Sequence, residues 1–91
     1  MTVSAEVRAI GERAQAMIEA LAGITAEPGK MTRLYLTPEH KRAADLVGAW
    51  MRRAELKVRM DAVGTMHGLQ PAGRSGSSSA KRLLVGSHID T

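Results

Sequence analysis

The feature that most constrains this chain is a short, wholly apolar run near its end, Leu83-Leu84-Val85-Gly86. Such a run is typical of a strand that is covered on both faces, as in the middle of an α/β sheet. A folded chain of 91 residues hides roughly 60–65% of the surface that its unfolded form exposes, which allows only a modest core. Nothing in a chain of this size could cover the strand twice. The run therefore predicts that the sequence is one part of a larger α/β domain.

A first helix is predicted from Ser4, a good N-cap, to about Leu21, with Gly23 as its stop. Apolar residues recur there at steps of three and four, which places them on one face of the helix. This face consists of Val7, Ile10, Ala14, Met17, Ile18 and Leu21. Residues 26–35, which include a Pro-Gly pair, have the turn chemistry of a loop.

A second helix is predicted to begin after Thr37, because threonine is a good N-cap and Pro38 suits the first helical position. His40 falls on its polar side and is expected to be solvated. The predicted buried stripe of this helix consists of Ala43, Val47, Trp50, Met51 and Ala54, with Leu46 beside it.

The period of the pattern then changes to that of a strand. Val58 and Met60 alternate with charged residues, as in a half-buried strand. Residues 65–69 are predicted to form a second strand, paired with the first through a turn at Val63-Gly64. His67 lies on this second strand and is expected to be a structural histidine. Residues 71–80, rich in glycine and serine, are predicted to form a mobile loop between strands.

Composition excludes several classes of protein. The chain has no cysteine, so it holds no disulfide and no thiolate zinc site, and it fits a reducing, cytoplasmic compartment. Its net charge is +4, but the basic residues are scattered among acidic ones, which is the pattern of a solvated surface. Aromatics make up only 2%, too few for stacking on single-stranded nucleic acid. We expect no signal peptide, no membrane span and no nucleic-acid partner.

His88 and Asp90 follow directly on the apolar run, and open α/β sheets place ligands at the carboxyl ends of their central strands. A neutral imidazole binds a divalent metal through one ring nitrogen. Its other N–H then needs an acceptor that fixes the tautomer. A carboxylate two residues on, in extended backbone, projects to the same side and can serve as that acceptor. Taken alone this triplet is a weak signal, and the bland alternative is a capped strand end with His88 partly exposed.

Four motifs occur in the same order as in a known family. Gly86-Ser87-His88-Ile89-Asp90-Thr91 matches a Gly-Ser-His-hydrophobic-Asp-Thr signature, and residues 32–40 resemble a Thr-Arg-Leu-X-Leu-Thr entry into a second helix. Residues 49–52 resemble a Trp-Met that follows, and residues 60–64 resemble an Asp-X-X-Gly-Asn turn. The sequence thus resembles the dinuclear metallo-amidohydrolases. This family includes allantoate amidohydrolases and N-carbamoyl-L-amino-acid hydrolases, and is related to glutamate-carboxypeptidase-type metallopeptidases.

The sequence departs from the family pattern at two places. Thr65 stands where the family most often has asparagine, and the glycine-serine stretch before Lys81 is longer than usual. The sequence of residues 35–40, Tyr-Leu-Thr-Pro-Glu-His, resembles allantoate amidohydrolases more than the carbamoyl-amino-acid enzymes. The residues that recognise the substrate are expected further downstream in the family.

The resemblance implies a fold and a site. Residues 1–91 would be the N-terminal part of a metallopeptidase-like α/β catalytic domain: two helices, a strand pair and a buried strand of a mixed sheet. The rest of that domain and the dimerisation domain would be absent. His88 would ligate one metal of a pair of Mn, Zn or Co ions, and Asp90 would orient it as a catalytic residue. The full-length family is expected to be homodimeric.

The same resemblance implies a function. The parent enzyme would hydrolyse non-peptide C–N bonds of linear amides or amidines, with allantoate as the small-molecule substrate, in purine catabolism. One histidine cannot hold a catalytic metal, since such zinc sites generally use three protein ligands. We therefore expect the 91-residue chain alone to bind metal weakly and to be inactive.

Two other readings stay open. One keeps the fold and changes the substrate to an N-carbamoyl amino acid or a peptide. The other, from a different class, is a small basic module that binds nucleic acid in a salt-sensitive way. Its contacts would come from Arg52, Arg53, Arg74, Lys81 and Arg82. A further basic residue, Arg33, lies in the predicted loop, and we expect it to pair with a carboxylate rather than to meet an anionic ligand.

Overall fold

A computed structural model describes residues 2–71 and 81–91, which contain two helices and one small sheet. Helix α1 covers Ala5–Ala22 and helix α2 covers Pro38–Arg53. Strands β1 (Lys57–Met60) and β2 (Met66–Leu69) form a two-stranded antiparallel sheet. The coarse prediction of a mixed α/β arrangement with two helices and a hairpin is confirmed. The predicted loop of residues 71–80 lies, apart from Pro71, outside the described residues.

Both helices begin where their N-caps predict. The Ser4 hydroxyl accepts the N–H of Val7 at 3.2 Å, and the Thr37 hydroxyl accepts the N–H of His40 at the same distance. Each bond satisfies one of the amides that a helix leaves free in its first turn. Pro38, which has no N–H to lose, occupies the first turn of α2. The local signals of capping therefore fixed both helix starts correctly.

The hairpin turn is held by Asp61 and Gly64. One carboxylate oxygen of Asp61 accepts the N–H groups of Val63 and Thr65 at 3.1 and 2.9 Å. Gly64 has a φ of +87°, in the left-handed region that glycine enters without a steric penalty. The register that follows pairs Val58 with Gly68.

The small core lies where α2 packs against both strands. Ala43 and Ala44 are fully buried there, and Gly48 and Gly68 let the helix and the hairpin approach closely. A Cβ built on Gly68 would lie 2.8 Å from Met51 Sδ, so the space is already filled by the methionine. The face of α2 that meets the hairpin is therefore centred on Ala44 and Gly48.

This face differs in part from the predicted stripe of α2. Ala43 is buried as predicted, whereas Ala54 is exposed. His40, which we expected to be solvated, is only 8% exposed, and its ring packs edge-on against that of Tyr35 at 5.2 Å between centroids. The prediction was wrong because the hairpin turn comes back over the first turn of α2, next to Gly64.

Most of the apolar face of α1 is uncovered among the described residues, although Met17 and Leu21 are half-buried. α1 contains no buried residue, and Val7, Ile10 and Ile18 are about 60% exposed. The amphipathic pattern correctly predicted the helix, because 3.6-residue periodicity is a local property. The pattern does not specify which surface covers the apolar face, and the described elements leave most of that face exposed.

The predicted buried strand at residues 83–86 is wrong for this structure. Those residues form no strand, and Leu83, Leu84 and Val85 are between 84% and 92% exposed. A strand needs a neighbour for its hydrogen bonds and layers for its side chains, and the described residues supply neither. The radius of gyration of 16.0 Å reflects this loose arrangement, since a compact chain of this length would have about 12 Å.

Candidate functional site

Residues 86–91, hereafter the 86–91 segment, carry the two predicted site residues, and the structure brings those two side chains together. The ring Nδ1 of His88 lies 2.9 Å from the backbone oxygen of Asp90 and 3.4 Å from its carboxylate Oδ1. A carbonyl oxygen can only accept, so Nδ1–H is the donor. The neutral ring then keeps its free electron pair on Nε2. His88 thus presents one nitrogen that is suited to bind a metal.

The geometry differs in one respect from the expected one. The shorter contact of the imidazole goes to the main chain of Asp90, and the carboxylate lies farther away. The side chain of His88 is 80% exposed and that of Asp90 is 43% exposed. The roles of metal ligand for His88 and of orienting catalytic residue for Asp90 stay predictions.

A complete metal site is not assembled by the residues that the structure describes. Among residues 2–71 and 81–91, no group of three histidine, aspartate or glutamate side chains is placed to hold a metal ion. Catalytic zinc generally needs three protein ligands. His88 fits the chemistry of one ligand, and the described residues do not supply the rest.

Arg33 attaches the 86–91 segment to the fold. Its Nε donates to the backbone oxygen of Ile89 at 2.7 Å. The backbone N–H of Arg33 donates to the hydroxyl of Thr91 at 2.9 Å, and the N–H of Thr91 donates back to the oxygen of Arg33 at 2.9 Å. These three bonds explain why Ile89 is partly buried whereas Leu84 is 92% exposed.

The other end of the Arg33 side chain caps helix α1. Nη1 donates to the oxygens of Leu21 and Ile24 at 2.7 and 2.8 Å. The predicted pairing of Arg33 with a carboxylate is therefore wrong: its described partners are main-chain carbonyls. The C-terminal end of a helix carries partial negative charge, which offsets the cost of burying a guanidinium that is only 6% exposed. The sequence identified Arg33 as a basic residue with a polar partner, but no local pattern indicated that its partners are main-chain oxygens.

His67 and Asp61 form a second polar pair, on the hairpin. His67 Nε2 lies 2.8 Å from Asp61 Oδ2, while the other carboxylate oxygen holds the turn. The hydrogen bond from His67 lowers the pKa of Asp61, and the N–H groups of Thr65 and Val63 act in the same direction against a small opposing effect of burial. The expectation of a structural, hydrogen-bonded His67 is confirmed.

Curated relatives match nearly the whole chain but only a small part of each relative. The chain is 32% identical over 80 residues to allantoate deiminase 1 of Glycine max, which covers 88% of this chain and 16% of that protein. It is 39% identical over 82 residues to an N-carbamoyl-L-amino acid amidohydrolase of Geobacillus stearothermophilus, covering 89% and 19%. It is 38% identical over 85 residues to a similarly named enzyme of Paenarthrobacter aurescens, covering 92% and 20%.

Two further comparisons returned nothing: no family model and no solved structure matches. The likeness to the relatives therefore rests on sequence. It extends well beyond the 86–91 segment, because each alignment covers about nine-tenths of the chain. No helix in the described part of the chain is long and apolar enough to cross a membrane.

Proposed function

We propose that this chain, which belongs to the same sequence family as the allantoate deiminases and the N-carbamoyl-L-amino-acid amidohydrolases, contributes a metal-binding segment to an enzyme that hydrolyses C–N bonds. The observation that carries the proposal is the orientation of His88. Its Nδ1–H is bound by the main chain of Asp90 at 2.9 Å, which leaves Nε2 as the free ligand atom. The sequence relationship to these enzymes supports a role for this ligand atom in a hydrolase.

In this proposal His88 Nε2 binds a divalent ion, with Mn²⁺, Zn²⁺ and Co²⁺ as the reasonable choices for an imidazole and carboxylate environment. Asp90 holds the imidazole in the correct tautomer through its main-chain oxygen, and its carboxylate lies close enough to take part. The described residues do not supply the remaining metal ligands or a general base. No catalytic step is therefore attributed to them. The proposed architecture is the first part of a metallopeptidase-like α/β domain.

Two substrates compete within this proposal. The resemblance of residues 35–40 to allantoate amidohydrolases favours allantoate as the substrate. The higher identity, 39% and 38% against 32–35% for the allantoate deiminases, favours an N-carbamoyl-L-amino acid. Both substrates contain a ureido group, and hydrolysis of either breaks a bond between nitrogen and a carbon that the metal would polarise.

The test is an assay of the gene product that contains these residues, supplied with Mn²⁺, Zn²⁺ or Co²⁺. Ammonia release from allantoate and amino-acid release from N-carbamoyl-L-amino acids are measured in parallel. The His88→Ala variant should lose activity by more than about tenfold, because loss of even a group that orients a metal ligand typically costs about 10- to 100-fold. His67→Ala, which removes an imidazole that bonds to Asp61 in the hairpin, is the matched control and should keep most of the activity. Full activity in His88→Ala would contradict the proposal.

A metal titration separates this chain from the complete site. Calorimetry with Zn²⁺ or Mn²⁺ on the 91-residue chain should show weak binding, because one imidazole is not a complete ligand set. Stoichiometric binding at micromolar concentration that requires His88 would show instead that this chain holds a whole site.

A further inference from the structure

The buried guanidinium of Arg33 is a charged group that the proposed function does not explain. A surface arginine in a loop would keep its charge in water. Arg33 is only 6% exposed, and three main-chain oxygens from two parts of the chain surround it. No buried side-chain nitrogen or oxygen among the described residues lacks a hydrogen-bond partner, and the Nε and Nη1 atoms of Arg33 each donate to main-chain oxygens.

We propose that Arg33 is a positioning residue that fixes the 86–91 segment, and with it the metal-binding Nε2 of His88, to the end of helix α1. The inference rests on the proposed function for the assignment of Nε2 as a metal ligand. The attachment of the 86–91 segment itself requires no metal. Arg33 acts through the main chain of Ile89 and through Thr91, and not by contact with a reacting atom.

The geometry of the guanidinium makes arginine the suitable residue for this task. Nε faces the oxygen of Ile89 at 2.7 Å, and Nη1 faces the oxygens of Leu21 and Ile24 at 2.7 and 2.8 Å. The planar group thus bridges two chain segments with donors at fixed angles. A lysine has one nitrogen at the end of a flexible stem, and it cannot meet both sides in the same way.

The main chain of Arg33 contributes the second half of the attachment. Its N–H and its oxygen both bond to Thr91, at 2.9 Å each, immediately after the site pair. His88 and Asp90 therefore lie beside two anchored residues, Ile89 and Thr91. The contact of His88 Nδ1 with the oxygen of Asp90 depends on the backbone direction at Asp90, which these anchors hold.

The experiment compares Arg33→Met, Arg33→Lys and the control Arg42→Met. Arg42 is exposed on α2, so its replacement makes the same chemical change away from the segment. Far-UV circular dichroism and amide protection in α2 report folding of the chain. Two NMR readouts report the attachment: exchange of the Thr91 amide, and the tautomer of the neutral His88 ring from its ¹⁵N shifts.

In the wild type and in Arg42→Met, the neutral His88 ring should carry its proton on Nδ1. In Arg33→Met, exchange of the Thr91 amide should be roughly tenfold faster or more, because a hydrogen bond to a charged group is typically worth at least that factor. The His88 tautomer should move toward the mixture of an unstructured peptide, while α2 stays protected. Arg33→Lys should keep the charge and still fail to restore either readout.

Two results would overturn the inference. One is an unchanged Thr91 exchange rate and His88 tautomer in folded Arg33→Met. The other is loss of α2 protection in both Arg33 variants, which would make Arg33 a general stability residue. A Zn²⁺ titration of the wild type, read on the His88 ring resonances, tests the proposed function separately. If Zn²⁺ leaves the ring unperturbed, the metal assignment fails while the positioning role is still decided by the two metal-free readouts.

Discussion

Replacing Gly68 by alanine should destabilise the contact between α2 and the hairpin. A Cβ at that position would meet Met51 Sδ at 2.8 Å, Leu56 Cδ1 at 3.0 Å and Met51 Cγ at 3.3 Å. Overpacking of this kind typically costs about 1–3 kcal/mol. Alanine regains about 0.5–1 kcal/mol of the entropy that glycine loses in a strand. The expected net loss is about 0.5–2 kcal/mol, toward the lower end if the flexible Met51 side chain moves aside.

Trp50 offers a direct assay for this contact, since it is the only tryptophan and lies half-buried on α2. Urea unfolding followed by its fluorescence should show a midpoint lowered by about 0.5–2 M, given a slope of about 1 kcal/mol per molar for a small protein. The control is Gly11→Ala in α1, where a Cβ would meet nothing within 4 Å. That change should raise helix content, because alanine is favoured over glycine by about 1 kcal/mol in a helix. It should have little effect on the Trp50 transition, because a Cβ at this position contacts neither α2 nor the hairpin.

A double-mutant cycle decides whether Met51 is the cause. If the clash with Met51 destabilises Gly68→Ala, then Met51→Ala should cost less in the Gly68→Ala background than in the wild type. Additive effects of the two changes, or a Gly68→Ala variant as stable as the wild type, would refute the steric reasoning.

Three further predictions concern the turn and the cap. Because folding lowers the pKa of Asp61, its carboxylate stabilises the fold fully above its ordinary pKa of about 4 and loses that contribution as the pH falls through the lower folded value. Below about pH 4 the urea midpoint should therefore fall more steeply with decreasing pH in the wild type than in Asp61→Asn, and equal slopes would contradict this linkage. Gly64→Ala, at a φ of +87°, should cost about 1–2 kcal/mol and reduce the protection of the Asp61 amide, which donates to the oxygen of Thr65 at 2.9 Å; unchanged protection would show that the turn tolerates a side chain. Thr37→Ala removes the acceptor for the N–H of His40 and should lower stability by about 1 kcal/mol in the same urea assay, with Thr37→Ser, which keeps the hydroxyl, as its control.

The parts of the fold that the sequence predicted correctly are those that short-range chemistry decides. Ser4 and Thr37 start helices because their hydroxyls reach amides three residues on. The hairpin follows from alternation in the first strand and from a glycine at a left-handed position. Each of these signals spans only a few residues, so no knowledge of the remaining structure was needed.

The failures concern contacts between distant residues. His40 was assigned to water from its place on the helical wheel, yet the hairpin turn some 24 residues later covers it. The run at Leu83-Leu84-Val85 was expected to form a covered strand, yet it is largely exposed among the described residues. The apolar stripe of α1, for which periodicity predicted only a shared face, contains no buried residue. Periodicity specifies which side of an element is apolar, whereas burial depends on a partner surface that no local pattern encodes.

The candidate site divides along the same line. The contact between His88 Nδ1 and the oxygen of Asp90 joins residues two apart, and spacing alone suggested that these two would meet. The bonds that hold this pair against the fold join residues 56 and 58 positions apart and depend on Arg33. A metal ligand needs both its chemistry and its place, because orientation within a fraction of an ångström decides whether a metal site forms. A sequence that keeps the histidine and the aspartate while losing the arginine should therefore retain the signature and lose the geometry, which is why the role of Arg33 is best tested on the tautomer of His88.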